Sequence, residues 1–94
     1  MITEGYRYQF GDGVDLRDAE DTLLLALLAA EGIYGECRVR MDAAYAVDRA
    51  LRAVVVDCST DVGQDVAGIY TSFLTKEFGA RAFDVRPLDG EVRP

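Results

Sequence analysis

Histidine, tryptophan and asparagine are missing from this 94-residue chain, and lysine occurs once, at Lys76. Without histidine the chain lacks the commonest general base and the commonest zinc ligand. A serine–histidine triad or a histidine-bearing metal site within one chain is therefore excluded. Only two cysteines, Cys37 and Cys58, are present, too few for a disulfide-stapled scaffold. The longest unbroken apolar run, Leu23–Ala30, falls well short of the roughly 20 residues that a bilayer span takes. The start, MITEGYRYQF, has neither a basic n-region nor an apolar h-region, so no secretory signal is expected. A cytoplasmic location with both thiols free is the expectation.

Positive charge is also scarce. Seventeen acids against ten bases give a net charge of −7, which opposes nonspecific binding to a phosphate backbone. Arginine supplies every base but Lys76, a habit of GC-rich bacterial genomes more than a functional mark. Neither G-x-x-x-x-G-K-[ST] nor G-x-G-x-x-G occurs, so no nucleotide-phosphate loop is present.

What remains suits a single folded domain over residues 1–94, since half the residues are hydrophobic. The segment PLDGEVRP, residues 87–94, with two prolines and a DG turn signal, is expected to be a loose tail. Tyr6, Tyr8 and Phe10 alternate with Arg7 and Gln9 as in a strand with one buried face. Asp15 is placed to cap a helix from about Leu16 to Glu31, closed by Gly32. Its stripe is Leu16, Ala19, Leu23, Leu27 and Ala30. Residues 34–47 alternate again, and 51–58 read as a more deeply buried strand. Asp61 and Gln64 resemble a capping box opening a helix that ends near Gly79, and ARAFDVRPL supplies a last strand.

The order β-α-β-β-α-β predicts an α+β fold of ferredoxin-like type, with two helices on one face of a four-stranded antiparallel sheet. The alternative is an extra helix at 42–53, where Ala43, Val47, Ala50, Leu51 and Val54 also fit a helical period. In the hairpin version a turn at Arg49–Ala50 sets Tyr45 opposite Val54 and Met41 opposite Cys58, all apolar. The other face then brings Asp42 against Asp57, which calls for Arg40 nearby or a bound cation.

Cation ligands are the first candidate chemistry. The pentapeptide Asp57-Cys58-Ser59-Thr60-Asp61 resembles the D-x-S-x-S cation motif of von Willebrand A-type domains at Asp57 and Ser59, with Asp61 replacing the second serine. With Asp42 these make a candidate metal set of Asp42, Asp57, Ser59 and Asp61, although a helix cap at Asp61 explains that residue without metal. No metal or other cofactor is favoured. Cys58 precedes a helix but falls inward beside Asp57, and is expected to be a buried structural thiol. Gly68, inside a helix, suggests a close packing contact. The outward sheet set of Arg7, Gln9, Arg38, Arg40, Arg86 and either Arg52 or Val55 carries no aromatic, which argues against an RNA-binding platform.

Apolar excess is the stronger signal. Leu25 and Leu28 lie off the buried stripe, on the side of Arg17, Asp18 and Asp21. Ala44, Ala46, Leu51, Ala53 and Val55 cluster on the outer sheet face near the hairpin. Contiguous apolar surface of this kind marks an interface. The expectation is a non-enzymatic interaction or assembly module that self-associates as a homodimer through one of these surfaces. A different protein is the other candidate partner; nucleic acid and membrane are not expected. A small-ligand or cation-binding regulatory domain is the runner-up, and no residue set supports an enzyme.

Overall fold

The computed structural model describes residues 2–88. Strand β1 is Gly5–Phe10, and the alternation legible in GYRYQF buries Tyr8 and Phe10 while Arg7 and Gln9 face the other way. The helix α1, Leu16–Tyr34, begins where Asp15 accepts a hydrogen bond from the Arg17 backbone N–H at 2.9 Å. It runs through Gly32 and stops only at Gly35, whose φ of 89° a side chain would resist. The added turn is held because Tyr34 packs against the core.

The first correction lies next. Residues 34–47 do not form one strand: Glu36–Asp42 is a short helix, α2, and only Tyr45–Asp48 is strand, β2. In ECRVRMD the period-two pattern competes with helical pairing, and the charges favour the helix. Glu36 pairs with Arg40 and Arg38 with Asp42, both at i,i+4. Val39 alone turns inward, while Cys37 and Met41, expected on the buried sheet face, are exposed, Met41 at 82%. The helix considered for 42–53 is not formed.

Strand β3, Ala53–Asp57, pairs antiparallel with β2, setting Tyr45 opposite Val56, Val47 opposite Val54 and Asp48 opposite Ala53. This register is displaced by two residues from the expected one, which keeps every side chain on its face. The cause is local: the Asp48 carboxylate accepts from the Leu51 N–H at 3.0 Å, and Arg52 adopts φ 54°, so residues 49–52 rather than two residues make the turn. Asp42 and Asp57 are consequently not a cross-strand pair; the Asp57 N–H donates to the Ala44 carbonyl at 2.9 Å.

Helix α3, Asp61–Phe78, starts at its expected cap residue, so the true cap lies one residue earlier. Thr60 is the N-cap, its hydroxyl accepting from the Gly63 N–H at 3.0 Å, and Asp61 sits in the first turn. A 3₁₀ turn at Ala80–Ala82 leads into β4, Phe83–Pro87. The Leu88 N–H then donates to the Gly5 carbonyl at 2.8 Å, so Pro87 and Leu88 belong to the sheet edge; residues 89–94 of the expected tail lie outside the described residues.

The result is an α+β fold: a four-stranded antiparallel sheet in the order β2-β3-β1-β4 with three helices. Its core joins Tyr8, Val54 and Val56 of the sheet to Leu23 of α1 and to Val66, Tyr70 and Leu74 of α3. Tyr8 and Tyr70 meet edge to face with ring centroids 4.8 Å apart, and their hydroxyls reach the Ala67 and Ala19 carbonyls. Two aromatic rings are thereby buried with no polar atom wasted.

Candidate functional site

The pentapeptide at the end of β3 forms a turn. The two Asp57 carboxylate oxygens accept from the Ser59 backbone N–H and hydroxyl, each at 3.0 Å. Asp42 directs its carboxylate to Arg38 at 3.4 Å, while its carbonyl accepts from the Thr60 hydroxyl. Asp61 is exposed in the first turn of α3. Of the four cation candidates, then, Asp57 and Ser59 are brought together, Asp42 pairs with Arg38, and Asp61 is exposed in the first turn of α3. Among the described residues, no group of three or more acidic or cysteine side chains is arranged to share a metal ion.

Cys58 is buried behind this turn, with Sγ 3.8 Å from the Val56 and Gly63 carbonyl oxygens. Burial, then the charges of Asp57 and Glu4, push its thiol pKa up. A thiol held in its protonated form is a poor nucleophile, which suits a structural role. Cys37 is exposed on α2, and the two cysteines are not bonded.

The expected apolar surfaces separate. Leu25 and Leu28 are 55% and 59% exposed, and Leu24, not singled out from the sequence, joins them at 49%. One turn and three residues relate these positions, so they form a single ridge on the outer side of α1. The LLL run at 23–25 carried the signal: only Leu23 can enter the core. On the sheet, Ala44, Ala46 and Leu51 are exposed, but Ala53 is fully buried and Val55 half-buried. Val55 stands beside Arg7, which faces Arg86 across the β1–β4 ladder, and Gln9 faces Asp84. The outer sheet face is therefore charged along its β1–β4 side, and of the apolar cluster expected near the hairpin only Ala44, Ala46 and Leu51 are exposed.

A third feature, not legible in the sequence, is a cleft of 660 Å³ beside α3. Tyr6 with Pro87, and Tyr8 with Val85, are register pairs of β1 and β4 that form its floor. Gln64, Gly68 and Thr71, one helical turn apart along α3, form the facing wall. At depth the Tyr8 hydroxyl lies 2.8 Å from the Thr71 hydroxyl, and burial raises the Tyr8 pKa to about 12. Glu4 stands at the rim, and among the described residues no arginine or lysine lines the cleft. Gly68 is the one hint in sequence, but not as a packing contact: a methyl group added there would meet nothing within 4 Å.

No helix among the described residues is long and apolar enough to cross a membrane. In comparisons with known proteins, no family model, curated protein or solved structure matches this chain.

Proposed function

We propose that the protein is a small non-enzymatic assembly module that pairs with a second copy of itself through the outer face of α1. The observation that carries this is the ridge of Leu24, Leu25 and Leu28, three large apolar side chains each about half exposed or more on one helix face. Single exposed leucines are ordinary, whereas three on one helix face of so small a domain form a patch of the kind interfaces use. A two-fold axis near this ridge lets Leu25 of each copy meet Leu28 of the other, a self-complementary arrangement. The sheet face, with Arg7, Asp84 and Arg86 along its β1–β4 side, is the less suitable alternative.

The finer fold assignment belongs with this reading. The strand order, with long helices following β1 and β3, supports a ferredoxin-like arrangement in which α2 is an added helix. Two unpaired thiols, one of them exposed, suit a reducing compartment such as the cytoplasm.

Sedimentation equilibrium tests the pairing. The wild-type chain is expected at twice its 10.3 kDa mass at micromolar concentration. Leu25→Glu and Leu28→Glu are expected to sediment as monomers with unchanged far-ultraviolet circular dichroism. A wild-type chain that stays monomeric at millimolar concentration sinks the proposal.

A further inference from the structure

We propose that the cleft between α3 and the β1–β4 edge binds a small amine in its ammonium form, with an apolar body seated on Tyr6, Val85 and Pro87. The site is separate from the α1 ridge and does not depend on pairing.

Size comes first. At 660 Å³ the cleft lies within the roughly 300–1,000 Å³ range of small-molecule sites. Its floor is a tyrosine ring, a valine and a proline, a surface for carbon rather than for water. Its wall includes Gly68, which costs about 1 kcal/mol in a helix interior relative to alanine. Nothing among the described residues requires that glycine, since open space surrounds the position. What the missing side chain does secure is the width of the cleft.

The polar groups decide the charge of the occupant. Glu4 lines the rim and its negative charge reaches Cys58, and among the described residues no cationic side chain lines the walls. None of the ion pairs among the described residues engages Glu4. The Gln64 amide is turned with Nε2 toward the Cys58 carbonyl at 3.3 Å, which leaves its oxygen free to accept. Deeper in, the Tyr8 and Thr71 hydroxyls and the Ala67 carbonyl form a triangle with contacts of 2.8, 2.8 and 3.0 Å. Tyr8 is fully buried, so of these groups the partly exposed Thr71 hydroxyl is the acceptor that an incoming donor meets. The raised pKa of Cys58 follows in part from Asp57 and Glu4, the same negative potential acting on a neighbouring group. An anion would meet a carboxylate with no compensating charge; an ammonium finds acceptors, a carboxylate and the face of Tyr6.

The test uses the full chain, ¹⁵N-labelled, titrated with 2-phenylethylamine and, separately, with its neutral isostere 2-phenylethanol. The amine is expected to shift the amide signals of Tyr6, Gly68, Thr71 and Val85, and to bind about tenfold more tightly than the alcohol. Glu4→Gln, at an exposed rim position, is expected to remove that preference while leaving the spectrum otherwise native. Gly68→Leu, which fills the cleft from open space, is expected to abolish the shifts for both probes. The proposal is overturned if neither probe shifts these signals, if the alcohol binds as well as the amine, or if Glu4→Gln keeps the preference. Shifts confined to Leu24, Leu25 and Leu28 likewise overturn it.

Discussion

Helix α3 carries two glycines in opposite surroundings. A methyl group on Gly63 would lie 2.1 Å from the Asp57 carbonyl oxygen, where neither backbone can give, whereas one on Gly68 would touch nothing. Gly63→Ala is therefore expected to lower the unfolding free energy by about 2–3 kcal/mol through overpacking, and Gly68→Ala to raise it by about 1 kcal/mol through helix propensity. Urea denaturation of the two variants distinguishes them by sign. Letters alone show two glycines in one helix; only the meeting of α3 with the end of β3 tells them apart, which is why the cleft beside Gly68 escaped sequence reasoning. The buried tyrosines give a second residue-scale prediction. Burial lifts Tyr8 from an ordinary value near 10 to about 12, and Tyr70 is pushed upward by the same cause. Each is neutral when protonated, and the fold holds that proton more tightly than the unfolded chain does. Their contribution is thus complete below about pH 10 and is lost as pH rises through the folded value near 12. The urea midpoint is expected to fall above about pH 10, and Tyr8→Phe to make that fall shallower.

Elements with one dominant signal were legible in the sequence, and elements with two competing signals were not. β1, α1 and α3 each combine a clear period with a terminal residue whose chemistry fixes an end: alternating aromatics in GYRYQF, Asp15 before α1, Gly79 after α3. ECRVRMD satisfies a period of two through Cys37, Val39 and Met41, and a helical period through Glu36–Arg40 and Arg38–Asp42. Cross-strand partners for this segment do not exist in the fold, so the helix wins. The hairpin failed differently: its faces were right and its register was not, because the Asp48 side chain supplies a turn contact that no hydrophobic pattern encodes. The same local chemistry moves the start of α3. Thr60→Ala is expected to cost about 1 kcal/mol as a lost N-cap, and Asp61→Ala, which gives up only a favourable charge in the first turn, about 0.3–1 kcal/mol. Thermal or urea unfolding of both variants side by side checks which residue caps the helix.

At the scale of the whole molecule, charge and apolar surface work against each other. Every copy carries −7, so bringing two together is opposed at long range. A contact made by Leu24, Leu25 and Leu28 is not itself weakened by salt, whereas the repulsion is screened over about 8 Å at physiological ionic strength. Pairing is thus expected to tighten as sodium chloride is raised, and a dissociation constant that rises with salt in sedimentation would point to ionic contacts at the sheet face instead. The edge of the sheet matters here too. With the Leu88 N–H directed at Gly5, alternate residues of β4 turn their N–H groups outward, and Pro87 occupies one of those outward positions. A foreign strand arriving along that border finds a gap in the ladder where it needs a donor. The chain can thus expose leucines on a helix while the β4 border resists the addition of a further strand.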